Sequence, residues 1–300
     1  MRRIVWLLLL YALACGVPTP PDVDQLATRA RDGDPAAVAQ LLELLTGASP
    51  PAERTRLYRT LLEVPRPAAG PILAACDSSD PVRREHALAL AGNLKLQGTA
   101  EAALRALGDA GFSRRYVAAW ALGELGDAAH APALVTALSQ GDQLVAREAA
   151  RALVKLGRSS AAAVLSALSS LEPIAAGYAV RVLGEVGESR AAEALVAALE
   201  RPELRADAVW ALGNLGAPDA GPLLLPRLGD PDWRVRLELC RALGLLEFAA
   251  ADPDLDRLRH GDPVPAVREW AARSLALLRG TPQTFLDARG DERVPDSLYR

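Results

Sequence analysis

Leucine recurs along the chain within one short phrase of apolar and small residues. The phrase AAWALGELGD occupies 118–127, and close variants follow at 150–159, 180–189, 209–218 and 240–249. The repeated leucines are Leu90, Leu122, Leu153, Leu183, Leu212, Leu243 and Leu275. Successive leucines are 29 to 32 residues apart. A period in this range indicates a solenoid, a propeller or another array of repeats.

The residues around each leucine have helical spacing. Mostly apolar or small residues stand eight, four and one positions before it, which predicts one packing stripe along a helix. Glycine follows directly at Gly123, Gly184, Gly213 and Gly244, where we expect neighbouring helices to approach closely. A second set of glycines suits the position that ends a helix; it comprises Gly126, Gly157, Gly187 and Gly216.

Each repeat also contains a second, shorter apolar segment, such as APALVTAL at 131–138 and AAEALVAAL at 191–199. Pairs such as Asp230-Pro231 lie between segments and predict turns that start a helix. Pro226 interrupts the segment at 221–228 and predicts a kink or a late start there. Strand-like alternation is missing from the sequence, which argues against a propeller. The predicted unit is therefore helix, turn, helix, and the fold class is all-α.

Three segments carry a resemblance to a known family. DPVRREHALALAGNL at 80–94, DPDWRVRLELCRALGLL at 230–246 and DPVPAVREWAARSLALL at 262–278 resemble HEAT repeats, of the short class that also occurs in phycobilin lyases. The resemblance extends over roughly residues 65–280. It implies a right-handed superhelical solenoid in which the helix with the Val-Arg pair lines the concave face.

The resemblance also implies a ladder, in which the aspartate of each turn bonds an arginine of the neighbouring repeat. The arginine position is held by Arg83, Arg115, Arg205, Arg236 and Arg268. Ala146 and Ala176 interrupt it, so we expect a discontinuous ladder near 142–177.

The solenoid is predicted over 80–280. Residues 22–79 have helical patterns without the small-residue stripe, which predicts divergent first repeats that cap the stack. Residues 281–300 contain Pro282, Pro295 and many charges. They predict a loose C-terminal tail, with Phe285 or Leu286 as candidate docking residues.

The first 14 residues predict a signal peptide, because Arg2 and Arg3 precede an apolar run that is short for a membrane span. Ala12-Leu13-Ala14-Cys15 allows two interpretations. One is ordinary cleavage after small residues. The other is a resemblance to a bacterial lipobox, in which Cys15 carries lipid and residues 15–21 form a tether. We favour the second, which predicts a membrane anchor in the cell envelope. Gly16 in place of Asp favours an outer-membrane lipoprotein facing the periplasm.

Residues suited to catalysis are scattered. The three histidines lie in different repeats; we expect His86 on the packing stripe, and His130 and His260 solvated near turns. Zinc-ligand spacings and phosphate-binding loops are missing from the sequence. A net charge of −3 gives no reason to expect nucleic acid. The sequence therefore predicts a non-enzyme without metal, cofactor or small-molecule substrate.

Cys76 and Cys240 lie about five repeats apart. Stacked helices are roughly 8–10 Å apart, whereas a disulfide needs Cα atoms within about 7 Å. We therefore expect two buried packing residues and not a disulfide.

Aromatic residues, arginines and acids alternate at the positions that the packing stripe leaves free. Trp, Tyr and Arg dominate binding hot spots, so these positions predict a surface for a protein or peptide partner. The predicted surface comprises Tyr116, Trp120, Glu124, Arg151, Tyr178, Arg181 and Trp210. The alternative is a solvated helix face, because Glu148 and Arg151 form an ordinary i, i+3 pair, with the tryptophans packing between repeats.

The function predicted from the sequence is a non-catalytic interaction scaffold at the bacterial cell envelope. Two alternatives stay open. The resemblance to phycobilin lyases implies a lyase-type enzyme or an accessory of one, and a uniform stack of repeats would also serve as a structural spacer in an envelope complex.

Overall fold

The structure is a computed structural model that describes residues 22–217 and 219–295. The predicted signal peptide, Cys15 and the tether lie outside the described residues. The described chain forms two compact units, of which the first ends at Arg114 and the second begins at Arg115. This division follows the first repeat of the predicted solenoid, whereas the sequence places the end of the cap at residue 79.

The first unit is entirely helical over its described residues. Its helices are α1 (Val23–Arg31), α2 (Pro35–Glu43), α3 (Pro51–Leu62), α4 (Gly70–Ala75), α5 (Pro81–Leu94) and α6 (Thr99–Gly108). Asp22, Asp34 and Asp80 cap α1, α2 and α5 by accepting hydrogen bonds from backbone N–H groups. Such caps satisfy the unpaired donors at the start of a helix.

The second unit consists of helix pairs. We call the helices that contain the repeated leucine A helices; they are α7 (Tyr116–Leu125), α9 (Gln143–Leu156), α11 (Pro173–Val186), α13 (Arg205–Leu215), α15 (Trp233–Leu245) and α17 (Pro265–Arg279). The B helices between them are α8 (Ala131–Ala137), α10 (Ala161–Leu168), α12 (Ala192–Ala198), α14 (Ala220–Leu224) and α16 (Asp252–Gly261). Each A helix packs against the next, which confirms the predicted all-α solenoid of helix pairs.

The packing stripe is buried as predicted. The leucines of all six A helices are fully buried, and so are the residues four positions before them. The glycines after the leucine make the close contacts that the sequence predicts. A β-carbon would lie 2.8 Å from the β-carbon of Ala152 at Gly123, and 2.7 Å from that of Ala211 at Gly184. Gly213 and Gly244 make the equivalent contacts with Ala242 and Ser274.

The predicted helix-ending glycines agree with the structure in three of four repeats. Gly126, Gly187 and Gly216 have left-handed backbone and end their A helices. At Gly157 the chain instead continues into a 3₁₀ turn, Gly157–Ser160. Pro226 interrupts its segment, but it does not delay the start of the helix: α14 begins at Ala220 and ends at Leu224, and Leu225–Arg227 is a 3₁₀ turn.

The arginine ladder is present in part of the chain. Arg205 bonds Asp230 at 2.8 Å, and Arg236 bonds Asp262 at 2.7 Å. Arg115 instead donates to the Gln140 side chain, also at 2.7 Å. In the first unit, Arg83 donates to the side chain and the backbone carbonyl of Glu43. The predicted gap is present, because Ala146 and Ala176 are buried alanines that cannot donate.

The C-terminal segment differs from a loose tail. Two short antiparallel strands, β1 (Phe285–Leu286) and β2 (Glu292–Arg293), form a hairpin. Arg268 donates to the backbone carbonyls of Leu286 and Asp287, and the Phe285 side chain is buried. Arg268, the last arginine of the predicted ladder, thus binds this hairpin through backbone carbonyls.

Cys76 and Cys240 are both free and buried, as predicted. Burial raises the pKa of the Cys76 thiol to about 12 and also raises that of Cys240. Both thiols are therefore protonated near neutral pH and serve in packing.

Candidate protein-interaction surface

Among the described residues, one face of the A helices consists mostly of half-buried and exposed positions. This A-helix face is made by positions two and five before each repeated leucine and two after it. The contacts between the glycine after one leucine and the residue before the next fix the register of neighbouring helices. Equivalent positions on successive A helices therefore lie side by side.

The predicted residues occupy four successive A helices. Tyr116, Trp120 and Glu124 are half-buried on α7, and Arg151 is exposed on α9. Tyr178 is half-buried and Arg181 exposed on α11, followed by the half-buried Trp210 on α13. All seven stand on the A-helix face or directly beside its row of positions.

The best-defined cluster centres on Trp210. The Arg181 guanidinium carbon lies 5.1 Å from the Trp210 ring centroid, and that of Arg241 lies 5.8 Å from it. Arg181 also donates to Asp207 at 2.7 Å, and Arg241 donates to Asn214 at 2.9 Å. An arginine over tryptophan contributes about 0.5–2 kcal/mol, depending on how dry the site is. The indole is thus held between guanidinium groups from the helix before and the helix after.

One ion pair in this cluster is incompletely hydrogen-bonded. The Glu238 Oε2 and Arg241 Nη1 atoms are 3.6 Å apart. Both are buried, and neither has a hydrogen-bond partner among the described residues. Burial raises the pKa of Glu238, although the nearby Arg241 and Arg181 charges oppose that shift. The cluster therefore retains unused hydrogen-bonding capacity just below the surface.

The other end of the surface is held by ion pairs between and within helices. Lys155 on α9 pairs with Glu124 on α7 at 2.5 Å. Arg151 donates to Glu148 at 2.8 Å, and Arg147 lies 3.7 Å from the same carboxylate. Glu124 is thus engaged in the stack, while Arg151 extends into solvent.

The sequence prediction omitted residues that the structure places in the Trp210 cluster. Asp207, Glu238 and Arg241 contact Arg181 or Trp210, or each other, but only Arg181 and Trp210 were predicted. The repeat pattern could have identified the omitted residues. Asp207 and Glu238 stand five positions before the repeated leucine, as Tyr178 does. Arg241 stands two positions before it, as Arg181 does. The predicted set ends at Trp210 on α13, whereas the contacts of this cluster continue to Glu238 and Arg241 on α15.

The histidines do not converge. His86 is half-buried, makes an edge-on contact with Tyr58, and bonds the Val82 carbonyl. His260 is exposed, as predicted. His130 is buried, so the prediction of a solvated residue was wrong. Its turn is wound into a 3₁₀ helix, Ala128–His130, that leads directly into α8.

The described residues include neither a candidate metal site nor a candidate membrane-spanning helix. Within 22–217 and 219–295, His, Cys, Asp and Glu side chains form no group of three or more that could hold a metal ion. Over the same residues, every helix is too short or too polar to cross a membrane.

Stacked helix pairs with close glycine contacts and an arginine ladder define an α-helical repeat protein. The family model described as HEAT repeats matches residues 100–172, 161–232, 192–276 and 221–293. Together these matches span about two thirds of the chain. The chain therefore belongs to the HEAT-repeat family, as the sequence resemblance indicated. Repeat proteins of this kind present extended binding surfaces.

Solved structures of other proteins are similar to this chain to different degrees. YibA of Escherichia coli is 17% identical, with a TM-score of 0.52 over 87% of this chain and 98% of that chain. Human deoxyhypusine hydroxylase in complex with glycerol is 22% identical, with a TM-score of 0.36 over 85% and 99%. The complex of CpcE and CpcF of phycocyanin lyase from Nostoc sp. is 24% identical, with a TM-score of 0.39 over 69% and 86%.

Of these three, the match to YibA supports a shared fold, and it carries no function to this chain. No curated protein matches the chain in sequence.

Proposed function

We propose that this HEAT-repeat protein is a non-catalytic scaffold that binds a protein or peptide partner on its A-helix face. The supporting observation is the Trp210 cluster, where an indole is held half-exposed between Arg181 and Arg241. Rigid, partly exposed tryptophan and arginine side chains have the properties of interface hot spots.

The arrangement favours binding over catalysis. The charged groups near Trp210 are arginines and the carboxylates that bond or face them, and these groups already neutralise one another. A catalytic acid or base needs a proton acceptor or donor that reaches a substrate, and general catalysis most often uses histidine. The three histidines lie on different elements, and the described contacts of this cluster include none of them.

Substitution of two surface tryptophans tests the proposal. We expect Trp120→Ala with Trp210→Ala to reduce crosslinking of the partner in native membranes at least about tenfold, because hot-spot truncations cost about 2 kcal/mol or more. Trp233→Ala is the matched control, since Trp233 is more exposed but lies outside the A-helix face. Circular dichroism checks that each variant keeps its helix content.

An unchanged set of crosslinked proteins in the folded double variant would refute the scaffold proposal. That outcome would favour the structural spacer, which needs no hot spots on this face. A chromophore that co-purifies with the chain would instead favour the lyase-type alternative.

For the location, we propose export to the cell envelope and anchoring by lipid on Cys15. The support is the sequence alone: the basic start, the short apolar run and the lipobox-like Ala12-Leu13-Ala14-Cys15. We expect Cys15→Ser to move the protein from the membrane fraction to the soluble fraction. Retention of the variant in the membrane would contradict lipidation at this residue.

A further inference from the structure

A row of exposed cations runs along α9. Arg147, Arg151 and Lys155 follow one another at four-residue steps, and Leu144 begins the same helical face. All four residues are exposed. We call this set the α9 stripe. Like charges four residues apart weaken an isolated helix by about 0.2–0.5 kcal/mol per pair, so folding alone does not favour this row.

The neighbouring helix α11 presents an apolar counterpart at its start. Ile174 is 69% exposed and stands at the same register position as Leu144. It lines a shallow groove of about 340 Å³ together with Pro173, Tyr178 and Arg181. Exposed large apolar side chains beside a groove are typical of a binding surface.

The acidic side chains near the α9 stripe are less exposed to solvent than the cations. The Arg151 side chain is 67% exposed, whereas its partner Glu148 is 13% exposed and also serves Arg147. Glu124 beneath Lys155 is likewise mostly covered. A partner that approaches the α9 stripe therefore meets positive charge first, with one carboxylate shared by two arginines.

We propose, building on the scaffold function, that this part of the A-helix face binds an extended acidic peptide segment with a large apolar residue at one end. Cations four residues apart on a helix lie about 6 Å apart along its axis. Alternate side chains of an extended chain lie about 6.6 Å apart. Carboxylates at alternate positions thus match Arg147, Arg151 and Lys155, while the apolar residue contacts Leu144 and Ile174.

The surrounding acids favour a peptide over a continuous anionic surface. Glu185 is exposed on α11, and Glu203 lines the groove beside Ile174. A flat lipid surface or a nucleic acid would bring negative charge against both. A narrow peptide along α9 avoids them.

The test uses the purified full chain and fluorescein-labelled peptides in an anisotropy titration. One peptide has a leucine followed by glutamates at alternate positions separated by serine; two matched peptides carry glutamine or lysine in place of glutamate. We expect the glutamate peptide to bind most tightly and to weaken as salt is raised, because exposed ion pairs are screened. We expect Arg151→Glu to weaken it at least about tenfold, and Ile174→Ser to weaken it as well.

Arg257→Glu is the matched control. Arg257 is 72% exposed and pairs with Asp254 at i, i+3, as Arg151 pairs with Glu148, but it lies on the B helix α16. The Arg257→Glu variant should bind the glutamate peptide as tightly as the wild type does. Equal thermal stability of the two charge-reversal variants shows that the loss in Arg151→Glu is not unfolding.

Three outcomes overturn the inference: equal binding of the three peptides, no binding of the glutamate peptide, or insensitivity to Arg151→Glu. Phosphatidylglycerol vesicles that bind through Arg151 more tightly than the glutamate peptide would also overturn it, in favour of a lipid surface. The scaffold proposal is judged separately by the tryptophan variants. It survives if they lose the crosslinked partner while the peptide test fails.

Discussion

Gly184 lies at one of the closest contacts between neighbouring A helices in the second unit. A β-carbon there would lie 2.7 Å from the Cα and Cβ atoms of Ala211 and 3.0 Å from the Trp210 ring. The Ala211 Cα is backbone and cannot rotate away. A single methyl group at Gly184 must therefore separate α11 from α13 and disturb the position of Trp210.

We expect Gly184→Ala to lower the free energy of unfolding by up to about 2 kcal/mol. Overpacking costs about 1–3 kcal/mol, offset by about 1 kcal/mol of helix propensity. Gly177→Ala is the control in the same helix, because its β-carbon meets only the Asp207 side chain at 3.3 Å. Urea unfolding should rank Gly177→Ala at or above the wild type. A Gly184→Ala variant as stable as Gly177→Ala would contradict the close-contact argument.

At the scale of single residues, the sequence predicts the positions that recur in every repeat, and it fails at positions that occur once. The leucine and the small residues around it recur in every repeat, so their burial and their glycine contacts follow from the pattern. His130 occurs once, and no repeated neighbour indicates that its turn is wound into a helix. Arg241 was visible in the pattern, but its stacking on Trp210 depends on the distance between α13 and α15.

At the scale of helices, the ladder joins the repeats through buried charge. Arg236 donates two hydrogen bonds to Asp262, whose side chain is only 2% exposed, and Asp262 also accepts from the Val264 backbone N–H. The bond to Asp262 raises the pKa of Arg236 further. Paired, these groups satisfy each other, but either one alone would leave a buried charge.

We expect Asp262→Ala to lower the free energy of unfolding by about 3–5 kcal/mol, because it leaves the buried Arg236 charge without its carboxylate partner. Asp254→Ala should cost about 0–1 kcal/mol, since Asp254 forms an exposed pair with Arg257. Chemical denaturation of both variants measures the difference. Similar losses in the two would mean that the ladder contributes no more than a surface pair.

The sequence does not predict the C-terminal hairpin. Its strands are two residues long, too short for alternation to appear. The hairpin is held by Arg268, which a ladder argument assigns to an aspartate of a following repeat. The sequence likewise does not predict that Gln140 takes the place of the turn aspartate as the partner of Arg115; the structure shows it through the hydrogen bond between the two side chains.

At the scale of the whole chain, carboxylates set the response to acid. Hydrogen bonds from arginine hold the pKa values of Asp34, Asp109, Glu188, Asp252 and Asp256 below their usual range. Backbone hydrogen bonds do the same for Glu203 and Asp287. Each such group stabilises the fold above its ordinary pKa of about 4, and loses that contribution as pH falls through the lowered value.

We therefore expect the melting temperature to stay nearly constant around neutral pH and to fall below about pH 4. Glu238 opposes this trend weakly. Burial raises the pKa of its carboxyl group, so protonation in acid removes the cost of keeping that charge buried. Asp252→Asn with Asp256→Asn should melt earlier at neutral pH and lose less on acidification, since those bonds to Arg279 and Arg259 are already weakened. Thermal melts across pH measure both. A wild type whose melting temperature does not fall in acid would contradict the expectation.

The contacts between A helices have a consequence for how such a chain can change length. Gly184 faces Ala211, and Gly213 faces Ala242, so both junctions use the same pair of residue types. Removing one full period, from the residue after Gly184 to Gly213, would leave Gly184 opposite Ala242. The new junction would keep the glycine–alanine contact, although it would lose Asp207 and Trp210 as partners of Arg181. A gene for this protein can thus gain or lose whole repeats while this backbone contact between A helices is conserved, and the length of its binding face can evolve in steps of one helix pair.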